Sequence, residues 1–373
     1  MKAGEKETQF SPSKVRRTAK NAGNLLFYII MASVLWGAVA ARDSLEKTRI
    51  PAGAKTAYDM AIRSVKERDF GKALRGFSEA IAIQPTFCDA YIERGNLYFM
   101  AFGLRNNALS DFTTATVVNP RSHPAYYRRG TIYMMEGFHQ KAISDFSAAI
   151  RLSPRFTAAF ISRGNAYRNI GNHDAALKDF DRAIALAPGL APVYMGRGHL
   201  HLRDGNYDRA VADYSSAIRI DPKDWMAYYY RGMCQRKAGK LEDALQDQGK
   251  ALALNPSAHE ALYEKGTIRF ALKEMEQAIS DYSGAIALNP KFVPAFVNRG
   301  RARSNIGLYE SALEDFSAAI RLDPSDAHAY ASRGTVYMSH FRDVERACAD
   351  WKRACELGQC GDHENAKAKE ICK

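Results

Sequence analysis

Residues 128–146 read RRGTIYMMEGFHQKAISDF, and this stretch carries the pattern that decides the fold. Its apolar residues recur at helical spacing on both sides of a central glycine, which predicts two amphipathic helices joined at that glycine. Two charges nevertheless lie inside the apolar stripes, since Arg129 precedes Gly130 and Asp145 precedes Phe146. A buried charge needs a partner, so these two residues are candidates for an ion pair between the helices.

The stretch is one copy of a motif that recurs every 34 residues. This spacing separates Gly130, Gly164, Gly198, Gly232, Gly266, Gly300 and Gly334. A proline closes each copy, at Pro120, Pro154, Pro188, Pro222, Pro256, Pro290 and Pro324. A period of this length that persists along the chain indicates a solenoid, in which neighbouring repeats bury each other's apolar faces.

Positions within a repeat are numbered so that the recurring glycine is position 8. An aromatic residue is usual at position 4, a second glycine at 15, alanine at 20 and proline at 32. Small residues at 8 and 20 let two helices approach closely, and a left-handed glycine at 15 can end the first helix. The pattern resembles that of the tetratricopeptide repeat (TPR) family over residues 54–358, or about nine repeats.

The resemblance implies an all-α fold, a TPR-type solenoid of antiparallel helix pairs stacked into a right-handed superhelix. In the family the first helices line a concave groove that binds an extended peptide or a partner helix. The matching groove positions here are Asn96, Tyr127, Arg128, Thr131, Met134, Asn165, Arg168, His199, Tyr229, Tyr230, Arg236, Tyr263, Asn298 and Arg301. Asparagine can bond a peptide backbone as donor and acceptor, and methionine adapts its shape, so this set suits an extended peptide.

Internal comparison of the repeats suggests a structural role for the two charges. Position 7 is basic and position 23 is aspartate in every repeat except the first, which has Met60 and Gly76 there. Because the charges are present or absent together, we expect them to pair within a repeat. The first two such pairs in the most regular repeats are Arg129 with Asp145 and Arg163 with Asp179. The alternative is that they contact a ligand directly.

The usual tyrosine of position 11 is replaced in the middle repeats. The replacements are His201, Gln235, Arg269 and Arg303. Either the packing is looser in these repeats, or the middle of the solenoid carries a basic, polar surface.

The N-terminus carries a candidate membrane segment. Residues 1–22 are polar and basic, residues 25–41 are uncharged and largely apolar, and residues 42–53 form a mixed-charge linker. We expect a transmembrane helix over 23–41 or, alternatively, a cleaved signal segment, because this apolar run nearly spans a bilayer. The positive-inside rule then places the N-terminus in the cytoplasm and the solenoid outside it, in a bacterial inner membrane and periplasm.

Four of the six cysteines, Cys348, Cys355, Cys360 and Cys372, lie at the C-terminus. In an extracytoplasmic chain they predict disulfides, with Cys355 or Cys360 pairing with Cys372 to pin a cap over residues 359–373. Cys348 and Cys355 would lie about 10 Å apart along one helix, too far to bond to each other. A metal site using Cys360, His363 and Cys372, and free thiols, are the alternatives.

No phosphate loop, catalytic triad or dinucleotide motif is present, so no enzyme activity, cofactor or metal is expected. The sequence predicts a membrane-anchored scaffold that binds a protein or peptide partner and assists assembly of an envelope complex. One alternative is a cytosol-facing receptor or targeting adaptor. The net charge of +12 leaves a third, a binder of nucleic acid or acidic surfaces, which the membrane segment disfavours.

Overall fold

A computed structural model of the protein describes residues 50–372. Within that range the chain forms nineteen α-helices and no strands. The predicted segments 1–22 and 23–41, and most of the linker 42–53, lie outside the described residues. Among residues 50–372, no helix has the length and apolar character needed to cross a membrane.

The chain divides after Pro188 into two compact units. Unit 1 contains α1 (Ala52–Lys66), α2 (Phe70–Ile83), α3 (Cys88–Met100), α4 (Arg105–Val118), α5 (His123–Met135), α6 (His139–Leu152), α7 (Thr157–Asn169) and α8 (His173–Leu186). Consecutive helices form antiparallel pairs, and each pair is one repeat. The predicted solenoid start at residue 54 therefore falls within the first turn of α1.

Unit 2 begins at Gly189 and is built in the same way. It contains α9 (Ala191–Arg203), α10 (Tyr207–Ile220), α11 (Trp225–Lys237), α12 (Leu241–Leu254), α13 (His259–Ala271), α14 (Met275–Leu288), α15 (Val293–Asn305), α16 (Tyr309–Leu322), α17 (Ala327–Val336), α18 (Val344–Glu356) and α19 (Gly361–Ala368). The last helix stands outside the repeat pattern and forms the C-terminal cap.

Small residues set the distance between the two helices of a pair. At Gly130 an added Cβ would lie 2.9 Å from Cε1 of the Phe146 ring, which real side chains do not tolerate without movement. Phe146, Ala142 and Tyr127 share one buried cluster in unit 1. The predicted close approach at positions 8 and 20 is therefore what lets the aromatic of position 24 fill the core.

The turn inside each repeat is left-handed at position 15. Gly137 has φ of 78°, as expected for a glycine that ends a helix. Lys273 occupies the same position in another repeat, and its φ of 64° is also positive. The fold therefore imposes a left-handed conformation on a residue type that disfavours it. The extra residue of the last repeat is accommodated by a π-helical turn over Tyr337–Phe341.

Candidate partner-binding surface

Each basic residue of position 7 joins the aspartate of its own repeat. Arg129 donates from Nε and Nη2 to the two carboxylate oxygens of Asp145, at 2.8 Å each. Arg163 and Asp179 repeat this geometry at 2.8 and 2.7 Å. The aspartates are almost fully buried, and the hydrogen bonds to Asp145 raise the pKa of Arg129. These bidentate pairs leave the aspartates no surface for a ligand.

The same arginines also reach the preceding repeat, which the sequence reasoning missed. In unit 1, Nη1 of Arg129 donates to the Thr116 hydroxyl at 2.8 Å, and Arg163 donates to Ser147 at 2.9 Å. In unit 2 the corresponding acceptors are Ser215, Ser283 and Ser317. The four serines all occupy position 25, whereas Thr116 lies one helical turn later, so the recurring serine was the signal that could have revealed this tie between repeats.

One junction in unit 2 lacks this tie. Position 25 of the sixth repeat is Gly249, and the following position 7 is Lys265, whose Nζ lies 3.6 Å from Asp281. Arg269 of position 11 adds a bond to the same aspartate at 2.8 Å. The junction therefore lacks the arginine–serine contact, although Arg236 of the sixth repeat still donates to Glu264 of the seventh across it.

The unusual residues of position 11 turn inward. Arg303 donates to Asp315 at 2.9 Å beside Arg299, as Arg269 does to Asp281. His201 and Gln235 are buried. The sequence left two alternatives for position 11, looser packing or a basic, polar surface. These four side chains do not form a basic surface, because their polar groups lie within the repeats.

Two predicted groove residues of unit 1 are withdrawn from solvent. Tyr127 is 2% exposed, and its ring packs against Phe156 with centroids 4.9 Å apart. Arg128 is 9% exposed, and burial lowers its pKa while the carboxylate of Glu93 opposes that shift. Tyr127 and Arg128 thus pack between neighbouring first helices and expose little side-chain surface to a partner, so their role as partner contacts stays a prediction.

The remaining predicted residues of unit 1 are half-buried. Asn96 donates to Glu93 at 3.2 Å, and the Thr131 hydroxyl donates to the Tyr127 carbonyl at 2.8 Å. Met134 packs at the edge of the unit 1 core. Asn165 and Arg168 lie on the first helix of the fourth repeat. This face therefore offers a partner only parts of side chains.

In unit 2, His199, Tyr229 and Tyr230 form an aromatic cluster. The His199 and Tyr230 rings meet edge to face at 4.4 Å, and Tyr229 lies 5.0 Å from Tyr230. Arg236, also predicted for the groove, donates to the carboxylate of Glu264 at 2.8 Å. The His199–Tyr230 and Arg236–Glu264 contacts thus join neighbouring first helices, whereas Tyr229 meets Tyr230 within α11, and all four predicted residues stay partly exposed.

A cleft of about 660 Å³ brings together the last three predicted residues, Tyr263, Asn298 and Arg301. Asn298 donates to the Tyr263 hydroxyl at 2.9 Å. Arg301 is exposed, and its guanidinium lies 5.6 Å from the centre of the Phe270 ring. Residues that the sequence reasoning missed complete the lining, among them His328, Ser332, Thr335, Gln359 and Asp362.

The four C-terminal cysteines form two disulfides, Cys348–Cys372 and Cys355–Cys360. The expected bond from Cys355 or Cys360 to Cys372 is not found, because Cys348 faces the chain end, with its Cα 5.6 Å from that of Cys372. The alternative metal site fails, since Cys360 and Cys372 belong to different disulfides. Within residues 50–372, no three His, Cys, Asp or Glu side chains are grouped as a metal site requires.

Three family models described as tetratricopeptide repeat match the chain over residues 123–156, 157–190, 195–253, 249–291 and 297–359. These matches cover more than half of its length. The chain belongs to the tetratricopeptide repeat family. The two earlier TPR repeats, over α1–α4, lie outside the matches but form the same helix pairs.

Solved structures share the TPR architecture. The APC/C hetero-tetramer Cut9–Hcn1 is 15% identical, with a TM-score of 0.54, over 93% of this chain and 82% of that one. A tetratricopeptide repeat protein from Parabacteroides merdae is 20% identical, with a TM-score of 0.50, over 67% and 98%. YrrB, described as a TPR protein with an unusual peptide-binding site, is 25% identical over 51% and 97%, with a TM-score of 0.42. A search of curated proteins found no match.

Proposed function

We propose that this TPR protein is a membrane-tethered scaffold that binds an extended peptide segment of a partner protein. The cleft of unit 2 carries the proposal, because Tyr263, Asn298 and Arg301 converge on it from first helices. Neither an enzymatic activity nor a cofactor is part of this function.

The chemistry of the cleft suits a peptide. Its volume is in the range of sites that hold a few side chains, and its lining mixes aromatic, amide, hydroxyl and charged groups. Amide and hydroxyl groups can bond both the N–H and the C=O of an extended backbone. Arg301 is an exposed cation on this surface, and carboxylates of Asp326 and Asp362 also line it.

The same charges argue against nucleic acid as the partner. The arginines of position 7 add nothing to the net charge of +12, because each is paired with an aspartate, as Arg129 is with Asp145, and these cations are not available to a phosphate backbone. A phosphate backbone requires several unpaired cations along its path. The cleft instead mixes Arg301 with two carboxylates, which fits a peptide of mixed charge.

We further propose that residues 23–41 anchor the protein in a bacterial inner membrane, with the repeats in the periplasm and a role in assembling an envelope complex. The uncharged run 25–41 after a basic segment supports this placement. The two disulfides also favour an oxidising compartment. A topology reporter fused after residue 50 tests the proposal, and activity of a cytoplasm-specific reporter would favour a cytosol-facing receptor instead.

A displayed library of random short peptides, selected on the oxidised full chain in detergent, tests the peptide site. We expect enriched peptides whose affinity falls about tenfold in Arg301→Ala and in Asn298→Ala, since each removes a polar contact. Lys250→Ala is the matched control, because Lys250 is an exposed cation of unit 2 outside the cleft. Equal binding to all three variants, or no enrichment at all, would refute the proposed site.

A further inference from the structure

The C-terminal cap supplies part of the wall of the cleft. Gln359 precedes α19 and Asp362 lies in its first turn, and both line the cleft together with residues of α13, α15 and α17. These two residues are outside the TPR repeat pattern. A partner in the cleft would therefore contact a segment that the repeats themselves do not position.

Non-covalent contacts hold this cap weakly. α19 has eight residues, too few for an isolated helix to be stable in water. The buried cluster that joins it to α18 contains Ala366 and Cys372 from the cap side, against Ala347 and Trp351. An alanine side chain buries little apolar surface, so this cluster contributes modestly to docking.

Two disulfides reinforce the docking. Cys348–Cys372 joins the middle of α18 to the end of the chain beyond α19. Cys355–Cys360 closes the turn between the two helices and brackets Gln359. Together they restrain both ends of α19, and hence the segment that carries the two cleft residues.

We propose that the oxidised cap is an integral, redox-dependent part of the peptide site, with Gln359 and Asp362 as contacting residues; this rests on the proposed function. A dithiol reduces each disulfide with two electrons and two protons, giving two cysteine thiols and the oxidised dithiol. The released cap no longer holds Gln359 and Asp362 against the cleft. Peptides bind the oxidised chain more tightly than the reduced one, and Asp362 favours peptides that carry a basic residue.

Peptides enriched on the oxidised full chain serve as probes. We expect their affinity to fall about tenfold after treatment with dithiothreitol and by a smaller factor in untreated Cys348→Ser/Cys372→Ser, which keeps the Cys355–Cys360 disulfide. Cys234→Ser is the control for thiol chemistry elsewhere, because Cys234 is a buried free cysteine of unit 2. This variant should keep the full response to reduction. Amide hydrogen exchange should accelerate over 361–368 on reduction while α15 stays protected.

A second pair of variants leaves both disulfides intact. Asp362→Asn should lower the affinity for basic peptides several-fold. Glu364→Gln should not lower it, because Glu364 is exposed on the same helix but does not line the cleft. Unchanged affinity and unchanged exchange on reduction, or equal effects of the two variants, would overturn the inference. If binding still required Arg301 and Asn298 in that case, the proposed function would stand without the cap.

Discussion

The pairing of Arg129 with Asp145 makes a quantitative prediction about stability. Asp145→Ala removes two of the three hydrogen bonds that the Arg129 guanidinium makes, and leaves the bond to Thr116. Removing one partner of a buried ion pair costs about 3–5 kcal/mol, because the other charge stays desolvated. The Arg129 side chain is 18% exposed, so water can solvate part of it. We therefore expect the lower end, a loss of about 3 kcal/mol.

The reverse single change should cost at least as much. Arg129→Met strands a carboxylate whose side chain is 7% exposed, less than the arginine it faced. The double variant leaves no buried charge unpaired, and we expect it to lose about 2 kcal/mol through packing. The coupling between the two positions should then be about 4 kcal/mol, above the usual upper value of about 3 kcal/mol for residues in contact, because each single change leaves a buried charge unpaired.

Native-state hydrogen exchange of the full chain measures this coupling, because it reports the free energy of opening of α5 and α6 without assuming that the whole solenoid unfolds in one step. The exposed pair Arg105–Glu136 in the same unit is the matched control, with side chains 51% and 39% exposed. Exposed pairs contribute between about 0 and 1 kcal/mol. If the cycle at 129 and 145 gave no more coupling than the control cycle, the structural role assigned to the recurring charges would be wrong.

Two further predictions concern the untied junction and pH. Gly249→Ser combined with Lys265→Arg should restore the missing arginine–serine contact between repeats. Measured by hydrogen exchange, the double variant should stabilise α12 and α13 by about 1–2 kcal/mol, and Lys265→Arg alone should stabilise them less. Equal stabilisation by both variants would exclude the serine hydroxyl as the acceptor. Burial lowers the pKa of His123, so the folded state resists protonation of this side chain. The stability of the folded state is therefore greatest above the unfolded pKa of about 6.5, and it falls as the pH drops from there towards the folded pKa. His123→Gln should therefore reduce the loss of unit 1 stability between about pH 7.5 and 5, measured by thermal unfolding, and an unchanged loss would rule this histidine out as its source.

Much of the site lay beyond sequence reasoning because it depends on which side of a helix meets a neighbour. Tyr127 and Arg128 occupy positions that line a groove in the family, yet here both side chains are buried against neighbouring parts of the solenoid. Position within a repeat predicts a face, but the residues opposite decide whether that face stays open. Conversely, Gln359 and Asp362 entered the cleft through the cap, whose placement no repeat pattern encodes.

The disulfide pairing illustrates the same limit. Four cysteines within 25 residues allow three connectivities, and spacing along a helix excludes one bond without choosing among the others. The choice requires the Cα separations, and the turn after α18 brings Cys372 back to Cys348. Chain reversal over a few residues is a tertiary property, so the sequence predicted a disulfide-linked cap but not which cysteines pair.

The sequence by itself determined the repeat, its helix pairs and the pairing of Arg129 with Asp145. The reason is that equivalent positions of a 34-residue repeat make equivalent contacts in every copy. Small residues at fixed positions and charges that are present or absent together are visible without coordinates. The tertiary structure decided which groove residues remain accessible, that hydroxyls at position 25 tie repeats together, and that the cap completes the cleft. Those features depend on contacts between side chains far apart in the chain, which periodicity does not specify.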